Sequence, residues 1–208
     1  MSEDGRCEEP QLLVDLASFL AGYPGGTSLE EALALSGYAE RCRNDAIVEI
    51  GSSRGRSAVA LAFGQARGPH SETGRVWCVD PHLPFAGLYG GRFGHDNRRD
   101  FYSVMLRTGF YARVSLINLP SAAAARAWDA PIGLLFIDGD HRPEAVRKDV
   151  EGWEPFLTPG GVLIFDDALD TEAGPFIEIE RLLESRRFER IEAIGKMVAL
   201  RKLVPAIA

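Results

Sequence analysis

The sequence predicts an α/β fold: a mostly parallel, seven-stranded sheet with helices on both faces, closed by a C-terminal antiparallel hairpin. Two observations predict it. From Ala46 to Asp167, short runs that are apolar throughout alternate with helical stretches. Parallel strands buried on both faces and joined by helical crossovers give that pattern. After Asp167 two further strand-like runs are separated only by Ile194-Gly195, a spacing that allows nothing but antiparallel pairing.

Each element has its own signal. Leu12, Leu13, Leu16, Phe19 and Leu20 form a helical stripe over Gln11 to Ala21, ended by Tyr23-Pro24-Gly25-Gly26. Thr27-Ser28 followed by Glu30-Glu31 opens a second short helix, Leu29 to Leu35. The strand runs are Ala46–Ile50, Val76–Val79, Val114–Asn118, Gly133–Ile137 and Gly161–Phe165. Helical patterns lie between them at Ser57–Ala66, Arg98–Arg107, Ala122–Trp128 and Pro143–Phe156. A last helix, Pro175–Ser185, leads to the hairpin runs Phe188–Ala193 and Lys196–Arg201. No repeat or linker interrupts the chain. Its 208 residues are expected to form one domain, with residues 1–45 as a helical cap and 46–208 as the core.

The formal net charge of -7 gives no electrostatic reason to expect nucleic acid or an anionic membrane as partner. The arginine pairs Arg98-Arg99 and Arg186-Arg187 read as solvated helix faces. No apolar run approaches membrane-spanning length, and the acidic N-terminus lacks a signal sequence, so a cytoplasmic location is expected. Cys7, Cys42 and Cys78 show no paired or metal-binding spacing, and Cys78 sits in an apolar run as a small core residue.

The first strand breaks into Gly51-Ser52-Ser53-Arg54-Gly55 before its helix begins. In open α/β sheets such turns lie beyond the carboxyl ends of strands, where helix N-termini bind ligands. A dinucleotide turn needs a middle glycine, and Ser53 stands there; a phosphate-binding loop needs Gly-Lys-Ser/Thr, which is absent. S-adenosylmethionine carries no phosphate, and its carboxylate can accept bonds from N–H groups and from the Ser57 hydroxyl at the helix start. Asp80, at the end of the second strand, is placed to take ribose hydroxyls.

Two more strands end in acids: Asp138 and Asp140, followed by His141, and then Asp166-Asp167. If these strands are neighbours, Asp138, Asp166 and Asp167 meet at one sheet edge and repel unless a cation compensates. An all-oxygen set suits a hard divalent ion such as Mg²⁺. Asp140 reads as a turn residue. His141, next to this set, fits a general base, since an imidazole ordinarily titrates near pH 6.5. His70, His82 and His95 are weaker candidates.

At these residues the chain resembles the class I S-adenosylmethionine-dependent O-methyltransferases of the cation-dependent type, which share a Rossmann-like fold. The carriers are "VEIGSSRGRSAVALA", "VWCVDPH", "LLFIDGDH" and "VLIFDD", together covering about Ala46 to Asp167. The resemblance implies cofactor contacts at Glu49, Gly51, Ser53, Ser57 and Asp80, with Pro120-Ser121-Ala122 near the adenine. It implies metal ligation by Asp138, Asp166 and Asp167. Catechol-type relatives carry a lysine where His141 stands and often an asparagine where Asp167 stands. Those departures point away from catechols and toward the bacterial branch that methylates sugars and secondary metabolites. Compact length and a short N-terminal region also resemble enzymes that O-methylate mannosides.

The expected function is therefore Mg²⁺-dependent methyl transfer to a hydroxyl of a small acceptor, most simply a sugar. A phenolic or catechol acceptor is the alternative, and a homodimer is the expected assembly. The Gly- and aromatic-rich segment Pro81 to Asn97 is the candidate acceptor lid, through Phe85, Tyr89 and Phe93. A nicotinamide-dependent oxidoreductase would use the same turn and Asp80, but leaves the aspartates and the hairpin unexplained. A non-catalytic module would have no need of the aspartates and His141.

Overall fold

The computed structural model describes residues 15–43 and 45–204. Cys7 and the first part of the expected Gln11–Ala21 helix lie outside the described residues. The chain runs α1 (Leu16–Gly22), α2 (Leu29–Arg41), β1 (Ala46–Ile50), α3 (Arg56–Gln65) and β2 (Val76–Val79). Next come β3 (Phe85–Ala86), β4 (Arg92–Phe93), α4 (His95–Thr108), β5 (Val114–Ile117), α5 (Ser121–Arg126) and β6 (Ile132–Ile137). It finishes with α6 (Pro143–Trp153), β7 (Leu157–Phe165), α7 (Gly174–Glu184), β8 (Phe188–Ile194) and β9 (Met197–Lys202).

Seven strands form one sheet in the order β5-β2-β1-β6-β7-β9-β8, and β3 pairs with β4 in a small separate hairpin. β9 runs antiparallel between β7 and β8, while the other neighbours are parallel. This is the predicted sheet with its closing hairpin. The two-residue turn is Gly195-Lys196, with Gly195 at φ +56 in its first central position. That is what a type II′ turn requires.

Alternate residues of each strand feed two cores. Ile47, Val76, Cys78, Leu134 and Phe136 pack under α1 to α4, whereas Val48, Ile50, Val79, Leu135 and Ile137 pack under α5 to α7. Burial on both faces explains why these strands read as continuous apolar runs. α2 is capped by Ser28 and Glu31 and continues to Arg41, beyond the expected end at Leu35. It crosses α3 at backbone distance: a Cβ on Gly64 would lie 1.9 Å from the Ser36 carbonyl oxygen. Gly64→Ala therefore forces the helices apart and is expected to cost about 1–3 kcal/mol. Urea denaturation checks this, with a lower midpoint and an unchanged slope.

Register sets the level of the site. Ile50 pairs with Val79 and Ile137, Val79 with Ile117, and Ile137 with Phe165. Five strands thus end on one line, and Gly51, Asp80, Asn118, Asp138 and Asp166 each stand one residue past it. The switch point lies at β1, where the chain turns first toward β2 and later toward β6. Ligands bind at such a place in open α/β sheets.

Candidate active site

The glycine turn is built by close contact. Gly51 has φ +87, and a Cβ there would lie 2.3 Å from the Asp138 carbonyl oxygen. Only glycine fits between β1 and β6. Gly55 (φ +85) then caps α3 with no side-chain bond. Ser53 sits at φ 44 and donates its N–H to Asp80 Oδ2 at 2.8 Å, so the turn and the end of β2 are joined directly.

His82 completes that joint. It is buried at φ 48; its N–H donates to Asp80 Oδ1 at 2.7 Å, and its Nε2 lies 2.7 Å from the Ser53 carbonyl oxygen. Asn97 Nδ2 donates to Ser53 Oγ at 2.9 Å, and Asn118 Nδ2 donates to the Asp80 carbonyl at 2.8 Å. His82, a weaker candidate in the sequence, is thus a structural member of the crevice. Its only signal was its place just after Asp80-Pro81. Among the described residues the non-glycine residues at positive φ are Ser53, His82, Asp167 and Arg186, and the first three line this crevice. Strain gathered at one place is common at functional sites.

Glu49 lies on the β1 face beneath α3, fully buried, and neither carboxylate oxygen has a hydrogen-bond partner. The Ser57 hydroxyl and the Cys78 thiol approach it without strict hydrogen-bond geometry. Burial pushes its carboxyl up to about 7. An orphaned acid at the closed end of the turn fits a ligand that brings its own positive charge or donors. The amino-acid end and sulfonium of S-adenosylmethionine offer both. Ser121 heads α5 and accepts from Trp153 Nε1 at 2.9 Å, and Ala122 beside it is exposed.

Opposite the turn, Asp138, His141 and Asp166 bring one ligand atom each within 4.8 Å of one another. His141 Nε2 lies 3.5 Å from Asp138 Oδ1, and its Nδ1 lies 3.5 Å from Asp167 Oδ2. Nε2 is buried and without a hydrogen bond. Burial raises the Asp138 carboxyl to about 8. Burial, and then the nearby Asp138 carboxylate, raise Asp166 likewise to about 8. Carboxyls this close share a proton unless a cation replaces it. The carboxylate oxygens gathered here suit a hard divalent ion, and the His141 imidazole stands beside them.

Sequence reasoning missed one residue here. Lys196, at the tip of the β8–β9 turn, places Nζ 2.5 Å from Asp166 Oδ2 and 2.9 Å from Asp167 Oδ1. Partial burial works against the charged ammonium, yet the two aspartates hold its pKa above the ordinary value. Asp167 stands at φ 49, turned toward Lys196 and His141. Of the expected ligands, Asp138 and Asp166 belong to the convergent group with His141, and Asp167 stands beside it; both Asp166 and Asp167 lie against the lysine. Asp140 acts as a turn residue: its Oδ1 accepts the Arg142 N–H at 3.2 Å, and its Oδ2 takes Arg142 Nη1 at 2.6 Å.

The segment 81–97 is not structureless. β3 and β4 form a hairpin in which Phe85 and Phe93 stack at 4.9 Å, both exposed. The hairpin leans over the carboxylates. Tyr89 sits 5.9 Å from the His141 ring and donates to Asp170 Oδ2 at 3.3 Å, and Arg142 Nη2 donates to the Ala86 carbonyl at 2.9 Å. On the other side Arg56 donates to the carbonyls of Thr27, Leu20 and Tyr23, fixing the N-terminal helices to the first turn of α3.

Fold and crevice together define a class, the S-adenosylmethionine-dependent methyltransferases. The family model described as "Methyltransferase domain" matches residues 48–168, more than half of the chain, and the chain belongs to that family. Solved structures share the fold. The O-methyltransferase NovP superposes with a TM-score of 0.67 at 15% identity, over 86% of this chain and 84% of that one. Cofactor-bound Rv0187 from MTB gives 0.65 at 20% identity, over 90% and 86%. CalS11, the TDP-rhamnose 3'-O-methyltransferase of calicheamicin biosynthesis, gives 0.62 at 17% identity, over 89% and 91%. A curated relative from Sinorhizobium fredii, "Uncharacterized protein y4gI", is 30% identical over 133 residues; these are 62% of this chain and 14% of that protein. Among the described residues no helix is long and apolar enough to cross a membrane.

Proposed function

We propose that this methyltransferase moves the methyl group of S-adenosylmethionine to a hydroxyl oxygen of a small acceptor, with help from a divalent cation, Mg²⁺. The observation that carries this reading is the convergence of Asp138, His141 and Asp166 directly beside the Gly51 turn. Donor and acceptor chemistry then lie a few ångströms apart. On the donor side, Glu49, Gly51, Ser53 and Ser57 bind the amino-acid end, Asp80 the ribose, and Ser121 and Ala122 border the adenine. Asp138, Asp166 and Asp167 hold the cation. Bound there, Mg²⁺ supplies positive charge that favours the deprotonated form of an acceptor hydroxyl.

His141 has the free ring nitrogen. Its Nε2 has no hydrogen bond to lose and can take the acceptor proton, while Asp167 beside Nδ1 stabilises the imidazolium that results. No covalent enzyme intermediate is needed, so acceleration comes from positioning and electrostatics. The exposed Phe85–Phe93 stack and Tyr89 offer flat faces on which a sugar ring can lie. A sugar, a mannoside among the candidates, is the acceptor this platform favours, and the resemblance to the bacterial sugar branch points the same way. A phenol or catechol is the alternative, since the same faces stack on aromatic rings.

The test is a transfer screen with methyl-labelled cofactor against monosaccharides, manno-oligosaccharides and catechols, run with Mg²⁺ and again with chelator. Label on a sugar hydroxyl that disappears with chelator and returns with Mg²⁺ is the expected result. Full transfer in chelator overturns the metal part, and label on catechols alone overturns the sugar assignment.

A further inference from the structure

Three carboxyls converge at the ends of β6 and β7, and the chain supplies a cation of its own to two of them. The Lys196 ammonium contacts Asp166 Oδ2 at 2.5 Å and Asp167 Oδ1 at 2.9 Å. This is no loose surface pair. Lys196 is held by its backbone on both sides: its N–H donates to Glu31 Oε1 at 2.9 Å, and its carbonyl accepts the Ala168 N–H at 2.8 Å. Glu31 is itself buried and takes the Ser28 N–H at 2.7 Å through its other oxygen. Gly195 before it leaves no room for change, because a Cβ there would lie 2.4 Å from Glu31 Oε1. The turn, α2 and the segment after β7 thus aim one ammonium at the carboxylate pair.

A carboxylate oxygen that binds an ammonium at 2.5 Å is not free to bind a metal ion in the same way. The metal-ligand atoms and the lysine contacts fall on the same residue, Asp166, and Asp167 is shared between Lys196 and His141. Resting on the reading of this cluster as a cation site, we propose that Lys196 is a positioning residue that competes with the divalent ion for Asp166 and Asp167. Loading the site exchanges an ammonium for a metal. In the metal-free protein the lysine keeps the pair from springing apart; when the ion enters, Nζ swings out toward Gly26, beside which it already lies. The cost of displacing it sets how tightly the ion is held.

The experiment measures Mn²⁺ binding to the full chain by the electron paramagnetic resonance signal of the free ion. Wild type is compared with Lys196→Met, which keeps the length but removes the charge, and with Lys196→Arg, which keeps the charge. Lys196→Met is expected to bind Mn²⁺ at least tenfold more tightly than wild type, with Lys196→Arg close to wild type. Equal or weaker binding by Lys196→Met overturns the proposal. A second measurement on wild type covers the case in which the variants do not fold. Reductive methylation of Lys196, read by mass spectrometry, is expected to accelerate when Mn²⁺ is added. An unchanged or slower rate overturns the proposal. Failure of the metal reading shows separately, as wild-type methyl transfer that is indifferent to chelator even though Lys196→Met gains Mn²⁺ affinity.

Discussion

Replacing Asp138 by alanine is expected to lower methyl transfer by about 10²–10³-fold while S-adenosylhomocysteine binding changes by no more than about twofold. The split follows from geometry. The main chain of Asp138 does one job and its side chain another. The carbonyl oxygen packs against Gly51 and shapes the donor turn, and its N–H donates to the Ile50 carbonyl at 2.8 Å. Alanine keeps both. The carboxyl faces His141 and Asp166 on the acceptor side, and it alone is lost. Burial is the main cause that raises Asp166 to about 8, and the Asp138 carboxylate the second; removing Asp138 relieves that second part, so the metal-free variant should melt no lower than wild type. Single-turnover rates and calorimetric binding of the product cofactor check the two halves. Unimpaired transfer by the variant would remove Asp138 from the catalytic site.

The second large effect is on stability against pH, and Glu49 is its source. The folded chain keeps the Glu49 proton up to about 7, whereas the unfolded chain releases it near 4.5. Native protein therefore binds more protons across this window, and stability falls as pH rises. The contribution is complete below about 4.5 and is lost as pH climbs through about 7. At about 1.4 kcal/mol per pH unit, the loss amounts to roughly 3 kcal/mol. Asp138 and Asp166, both raised to about 8, act in the same direction at slightly higher pH. Glu49→Gln cannot ionise. Thermal melts of the ligand-free variant at pH 8 should lie several degrees above wild type, and the two should approach each other at pH 5. The same substitution should weaken cofactor binding, because a charged acid facing the donor becomes neutral. A variant that melts like wild type at pH 8 contradicts the account of Glu49 as a buried, unpaired acid.

The sheet could be read because its strands obey one rule. β1 and β2 begin and end where their apolar runs do. β7 begins at Leu157, four residues before the expected Gly161, and Thr158-Pro159-Gly160-Gly161 hid its start. Pro159, Gly160 and Gly161 are poor strand formers, yet Leu157 pairs with Ile132, so neighbouring backbone overrides propensity. α4 starts at His95 instead of Arg98 because Asn97 Oδ1 takes the Gly94 N–H at 3.2 Å, a side-chain bond that hydrophobic spacing does not reveal. The site divides in the same way. Gly51, Asp80, Asp138 and Asp166 follow strand ends, and their place at the crevice was legible once the strands were; Glu49 lies within β1, one residue before its end. Lys196 and His82 were not, since their roles depend on where a distant turn and a left-handed backbone aim them. Thirty residues of chain separate Lys196 from its nearer partner, Asp166, and only the register of β7, β9 and β8 brings them together.

The β3–β4 hairpin leaves and rejoins the body almost at one point, with Gly94 packed on Pro84: a Cβ on Gly94 would sit 3.6 Å from the Pro84 Cα. An insert with abutting ends can be exchanged without re-laying the chain on either side. Under the proposed function, donor chemistry, anchored in the sheet, and recipient preference, assigned to this outlying arm, are thus separable units. On that reading, swapping the arm for that of a relative is expected to retune what is modified while the engine that modifies it is inherited intact.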